Sequence, residues 1–333
     1  MKKISVSKGY DWFLIVVVNF MWATQVPVIR LIGDRLSPIM IAFIPMILSC
    51  FLFLPMLLLE NKKRRVSFKW RWKDIRHFIL PGVIGIFLMQ YAYTVGAQKT
   101  LAANAGIITL TIPVLVAVLA SVMLKEKLNI VRIVSFLIAI AGVLLTSASD
   151  ISGMDFGKSQ MLTGNLIFLV ACCCCAFFNT YCKLLVDKLY TELEILVYSS
   201  VIASVISIPV FIWVEPFTLK PFINGGFISL AGILELSIIV YGVSMILFFS
   251  VLKRMDVTQA ILGCYLLPLF IALLGLILLH EKITGWMIFG GLLVLVSTLM
   301  VTIYEEPLKK LLKSKQRTRD NNSLSIINHQ LNK

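Results

Sequence analysis

The sequence predicts an all-α, polytopic membrane protein with ten transmembrane helices built from two inverted five-helix repeats. Three observations predict it: recurrent apolar runs of membrane-crossing length, basic residues crowded into alternate loops, and a shared register of residues between the two halves.

Apolar residues fill 59% of the 333 positions and charged residues 14%, against about 25% charge in a soluble domain. A helix rising about 1.5 Å per residue needs about 20 apolar residues to cross a hydrocarbon core of about 30 Å. Runs of that kind lie at 12–32, 37–59, 76–98, 102–124, 129–149, 161–185, 193–214, 228–252, 257–279 and 283–304. Strands would need a closed barrel and alternating polarity, which these uninterrupted runs lack. The first run follows Lys2, Lys3 and Lys8 as a signal peptide would, but it is too long, contains Gln25 and Pro27, lacks a small-residue cleavage site and precedes further apolar runs. It is therefore span 1 rather than a leader.

The net charge of +14 is not gathered on a polar domain that could follow a phosphate backbone, so nucleic acid is not the partner it suggests. With the N-terminus inside, 25 of the 31 basic residues fall on the cytoplasmic side, and Arg30, Arg35, Lys99, Lys158, Lys220 and Lys282 fall outside. That is the positive-inside pattern, with both termini cytoplasmic. Lys62, Lys63, Arg64 and Arg65, followed by Phe68, Trp70 and Trp72, read as an interfacial anchor for anionic headgroups. Residues 307–315 read as a short surface helix opening a basic tail, 305–333, that is expected to be disordered.

At an offset of 155, Pro113, Leu119, Leu124, Glu126 and Lys127 fall on Pro268, Leu274, Leu279, Glu281 and Lys282, and Leu137 and Leu144 fall on Leu292 and Leu299. Arg30 and Asp34 match Lys183 and Asp187 at an offset of 153. The first repeat is thus 1–149 and the second 161–304. Five spans is an odd number, so the second half crosses in the opposite sense. Inverted halves give related inward-open and outward-open forms with a solute site near the midplane.

These residues resemble the drug/metabolite transporter superfamily and its EamA-like ten-helix members. The segments that carry the resemblance are Tyr93 to Ala105, then Pro113, Leu124, Glu126, Leu128 and Gly142, and in the second half Pro268, Leu279, Glu281 and Gly290. Where that family often has an Arg partway along span 2, this chain has Pro45. The resemblance implies a central cavity lined by spans 1, 3, 4, 6, 8 and 9. It also implies solutes such as amino acids, metabolites or drugs, moved by secondary transport.

Polar residues inside the spans are the candidates for that cavity, because directed hydrogen bonds can hold a solute in an otherwise apolar wall. They are Asn19, Trp22 and Gln25 in span 1, Gln90 and Tyr93 in span 3, and Asn104, Thr109 and Thr111 in span 4. In the second half they are Asn179, Tyr181, Tyr241, Ser244 and Tyr265. For each alone, helix–helix hydrogen bonding is the commoner reason for burial. Glu235 is the acid well inside a span, read about two turns from the external end of span 8 on the face of Ile239 and Gly242. It is the candidate for proton or cation coupling; a packing or headgroup-facing carboxylate is the alternative. Pro113 and Pro268 are each expected to remove one backbone hydrogen bond, producing a kink or a local opening of their spans. Glu126 and Glu281 are expected at the positive N-terminal ends of the helices that follow them, not as solute ligands.

No metal or cofactor is expected. Cys172 to Cys175 step about 100° apart and cannot share one ion, and His77, His280 and His329 are dispersed. No phosphate-binding loop is present for ATP. The expectation is a secondary transporter of a small solute in a bacterial plasma membrane, working in export, as a monomer or homodimer. An uptake permease, a non-transporting receptor or scaffold, and an intramembrane enzyme are the alternatives; the last lacks a paired acid or nucleophile–base motif.

Overall fold

The computed structural model describes residues 8–64, 74–124, 130–146, 160–186, 190–252, 254 and 264–300. Glu126, most of the basic loop after Arg64 and the tail lie outside the described residues. Seven helical stretches are long and apolar enough to cross a membrane: Gly9–Gly33, Pro38–Lys62, Ile75–Lys99, Ala102–Met123, Gln160–Val186, Glu192–Trp213 and Lys220–Val251. Three shorter apolar helices, Ile130–Thr146, Leu267–Leu279 and Gly285–Met300, stand at the remaining apolar runs. Trp213 and Phe227 are more than four-fifths exposed, among many outward-facing large apolar side chains, as lipid contact permits and water does not.

The helices in chain order are α1 (Lys8–Ala23), α2 (Gln25–Gly33), α3 (Pro38–Arg64), α4 (Ile75–Gly82), α5 (Met89–Lys99), α6 (Ala102–Thr109), α7 (Ile112–Met123) and α8 (Ile130–Thr146). There follow α9 (Gln160–Val186), α10 (Glu192–Trp213), α11 (Lys220–Leu234), α12 (Ser244–Leu252), α13 (Leu267–Leu279) and α14 (Gly285–Met300). A π-helical turn, Val83–Leu88, joins α4 to α5, and a second, Glu235–Val243, joins α11 to α12. Local chemistry sets several ends. Thr191 starts α10 through a capping box, its hydroxyl accepting from the Glu194 N–H at 3.1 Å while the Glu194 carboxylate accepts from the Thr191 N–H at 2.8 Å.

Helices from the first half pack against helices from the second. α9 lies on α5 and α7, α13 on α6 and α1, α10 on α3 and α4, and α12 on α1, while the π turn of 235–243 lies on α3. The largest apolar cluster sits at this junction, with Ile29, Ile41, Ile108, Phe168, Leu236, Ile271 and Val294 all buried. Glycine permits the closest approaches. A Cβ on Gly142 of α8 would lie 2.7 Å from the Gly290 carbonyl oxygen of α14, so neither position has room for a side chain.

Pro113 and Pro268 each lie in the first turn of a helix, α7 or α13, just after a break at Leu110–Thr111 or a 3₁₀ turn at Cys264–Leu266. Neither has an N–H to offer the carbonyl four residues back, so each stands beside a local opening of its span. Gly226, at φ 62°, interrupts the helical stretch that begins at Lys220, and Glu235 lies about two turns beyond that interruption. One sequence expectation is corrected: Glu235 does not share a face with Gly242. The i→i+5 winding abandons the 3.6-residue period, so Gly242 meets Leu52 of α3 while Glu235 turns toward Thr24.

Candidate functional site

The first membrane-length stretch is broken at Thr24, between α1 and α2. Pro27 contributes, because it has no N–H to offer the carbonyl four residues back. Opposite this break lies the π turn that begins at Glu235. Insertions of this kind reset the direction of every side chain after them and occur often at functional sites. Together the break and the turn present a ladder of polar pairs between residues distant in sequence.

Trp22 Nε1 donates to Ser244 Oγ at 2.8 Å, Thr24 Oγ1 bonds Glu235 Oε1, and Gln25 Nε2 donates to Tyr241 Oη at 2.9 Å. Gln90 of α5 reaches the same Tyr241 hydroxyl. One turn on, the Tyr93 ring packs on Phe168 of α9 with centroids 4.6 Å apart. The wall is therefore made of an indole, two amides, hydroxyls and phenols, with one carboxylate among them. Oε2 of Glu235 has no hydrogen-bonding partner among the described residues, so an acceptor is left for a proton, a cation or a solute donor.

Other sequence candidates fall into three groups. Asn104 is fully buried with neither side-chain polar atom partnered among the described residues, and Asn19 donates to the Ile15 carbonyl at 2.7 Å while its Oδ1 has no partner there. Buried polar atoms without partners are uncommon, which keeps both residues as candidates. Thr109 and Thr111 turn back to carbonyls of their own chain, at Gly106 and Ile108, and Tyr265 packs half-buried against the central apolar cluster. Asn179 is exposed, its amide 3.6 Å from Cys175 Sγ, and Tyr181 joins a separate cluster with Phe78, Leu185 and Ile195. The structure does not bring those two to the Tyr241 group.

Two participants escape the sequence reading. Thr24 is one; its place between Trp22 and Gln25 is the only local hint. The other is Glu281. Its carboxylate accepts the N–H of Ala102 at 2.8 Å and of Ala103 at 3.3 Å and pairs with the Arg30 guanidinium. It does sit at a positive helix end, but at that of α6 from the first half, not of α14, which follows it. His280, in the left-handed conformation at φ 51°, turns the chain at the end of α13 so that Glu281 points back at α6. A second cross-half pair, Arg254 Nε to Asp11 Oδ1 at 2.8 Å, lies by the start of α1.

Tyr241→Phe is expected to leave the Gln25 and Gln90 amides without their shared partner. Stranding desolvated polar groups lowers stability by about 1 to 3 kcal/mol, read as the unfolding midpoint of the purified protein in detergent; an unchanged midpoint would show that neither bond matters.

A model of the EamA-like transporter family matches residues 11–148 and, separately, 162–303. An "uncharacterized transporter" of Archaeoglobus fulgidus is 23% identical over 297 residues, covering 87% of this chain and 98% of that one. "Uncharacterized transporter YoaV" of Bacillus subtilis is 23% identical over 297 residues, covering 88% and 92%. The match to "uncharacterized transporter YetK" of Bacillus subtilis is 29% identical but spans 34% of each chain. A crystal structure of a protein 17% identical superposes with a TM-score of 0.59 over 91% of this chain and 99% of that one, a likeness of fold.

Proposed function

The chain belongs to the EamA-like transporter family, and from that premise we propose that it is a secondary transporter exporting a small metabolite, amino acid or amphipathic compound by alternating access. It is an integral membrane protein, and a small solute and the bilayer are its partners. The observation that carries the finer reading is the ladder joining the Thr24 break to the π turn: neutral donors and acceptors, aromatic faces and one carboxylate, half-buried between the halves. Directed hydrogen bonds in an apolar wall suit a solute that must be released again.

The ten spans are taken to form two inverted halves, with both termini cytoplasmic in a bacterial plasma membrane. Several observations support this. The family model matches twice. Each half carries a π turn, and shifting Val83–Leu88 by the 155-residue offset lands it inside Glu235–Val243. Contacts come in exchanged pairs: α1 on α12 answers α5 on α9, and α1 on α13 answers α9 on α7. Arg30, Ala102 and Glu281, all assigned to the external side by charge, meet one another, as do Asp11 and Arg254, both assigned inside.

Glu235 is the coupling carboxylate in this reading, and alternating access exposes it to each side in turn. In proteoliposomes, solute counterflow and gradient-driven flux separate the two roles. Glu235→Gln is expected to keep counterflow and lose acceleration by a pH gradient. Unchanged pH dependence in that variant removes the coupling role, and absence of saturable flux with any solute class removes the transporter reading.

A further inference from the structure

The hydroxyl of Thr24 carries a single hydrogen, yet it stands within bonding reach of two oxygens. One is the Met21 carbonyl, 2.7 Å away and one turn back along α1; the other is Oε1 of Glu235. A carbonyl can only accept, and so can an ionised carboxylate. With Glu235 ionised, one hydrogen would serve two acceptors, and one of the contacts would set lone pair against lone pair. With Glu235 protonated, both contacts are satisfied in series: the carboxyl O–H donates to Thr24 Oγ1, and the Thr24 O–H donates to Met21.

We propose that Thr24 is a positioning residue that holds a proton on Glu235 and ties it to the break in the first membrane-length helix. The proposal rests on the coupling role assigned above to Glu235 and adds what the proton does there. Thr24 is the residue between α1 and α2, and its bond to Met21 spans the last turn before the break. When the proton leaves the carboxyl for water, Glu235 keeps no hydrogen to give. The single Thr24 hydrogen then serves the carboxylate and leaves the Met21 carbonyl, at the point where the helix is already interrupted. Protonation is thereby linked to the bend between α1 and α2, and no co-reactant other than water is required.

The surroundings leave this relay to Thr24. The elements packed on the π turn are α1, α2, α3, α11 and α12. Their charged and titratable groups are Lys8, Tyr10 and Asp11 in the first turn of α1, Arg30 on α2, Cys50, which contacts Ser204, and Glu60 to Arg64 on α3, and Lys220 at the start of α11. Asp11 is held by Arg254 and Arg30 by Glu281. Tyr241, on the π turn itself, accepts from Gln25. No lysine or arginine among the described residues pairs with Glu235.

Infrared spectroscopy of the purified full chain tests this without a known solute. A protonated carboxyl gives a C=O stretching band, assigned to Glu235 by its loss in Glu235→Gln. Thr24→Val should move that band to higher frequency, because the acid loses its acceptor, and shift the pH at which it titrates. Thr24→Ser should restore the wild-type position, which a merely structural role for the threonine methyl would not do; if Thr24→Val does not fold, Thr24→Ala, which removes the hydroxyl without adding bulk, should show the same upward shift, and an unmoved band there overturns the proposal equally. Failure of Glu235→Gln to remove a band at neutral pH, or an unmoved band in Thr24→Val, overturns the proposal. If the band behaves as stated while Glu235→Gln transports with unchanged pH dependence, the positioning role stands and the coupling role falls.

Discussion

Glu281→Ala is expected to destabilise the protein by about 3 to 5 kcal/mol, the range for removing one partner of a buried ion pair. The size follows from how much converges on one carboxylate. Glu281 is 7% exposed, and its two oxygens take a guanidinium and two backbone N–H groups. The first N–H groups of α6 have no partner within their own helix, so truncation strands them together with the Arg30 charge. The helix dipole adds to the loss, since a negative charge at this end opposes its positive pole. Arg30→Met should cost less, because Glu281 would keep both N–H donors. The double variant Arg30→Met, Glu281→Met should be more stable than the sum of the singles implies, by about 0.5 to 3 kcal/mol of coupling. Unfolding of the purified protein in detergent by heat or denaturant reads all three. A Glu281→Ala midpoint equal to wild type would mean that the carboxylate does not hold α6.

The contrast between Glu281 and the spans shows what the sequence exposes and what it hides. Hydrophobic run length is a local property, and the apolar runs 37–59, 76–98 and 161–185 end within a few residues of the helices Pro38–Lys62, Ile75–Lys99 and Gln160–Val186. Trp22, Gln25, Gln90, Tyr241 and Ser244 are legible for a related reason: a polar side chain within an apolar run needs a partner, and only the interior of the bundle provides one. Which partner it takes is not local. Trp22 finds Ser244 across 222 positions and Arg30 finds Glu281 across 251, distances no periodicity spans. Periodicity misjudges faces where the helix is not α. The 3.6-residue period puts Glu235 beside Gly242, and the π turn separates them. Repeat symmetry also misplaces residues: it makes Asn179 and Tyr181 counterparts of span 1 residues, but α1 and α2 are broken at Thr24 whereas α9 runs unbroken from Gln160 to Val186. The break that turns Trp22 and Gln25 toward the π turn has no equivalent there.

Gly96 carries the second large effect. A Cβ built on it would lie 2.7 Å from the Phe168 backbone nitrogen and 2.8 Å from its Cα, so α5 and α9 meet backbone to backbone. Gly164 answers from the other side, with a Cβ position 2.5 Å from the Lys99 carbonyl carbon. Neither neighbour is a flexible chain end that could swing away. Gly96→Ala gains about 1 kcal/mol in helix propensity but must push a pair of rigid helices apart, and overpacking of this kind costs about 1 to 3 kcal/mol; the net effect is a modest loss. Gly96→Leu adds three further carbons with nowhere to go, and its expected loss exceeds that range. The same displacement reaches the candidate site. Phe168 carries the Tyr93 ring, Tyr93 follows Gln90 by one turn, and Gln90 meets Tyr241. Solute flux in proteoliposomes should therefore fall in Gly96→Ala while most of the protein remains folded, and fall further in Gly96→Leu. Wild-type midpoint and flux in Gly96→Leu would show that α5 and α9 are not in backbone contact. Loss of stability with flux per folded molecule preserved would confine the contact to packing and detach Tyr93 from the transport path.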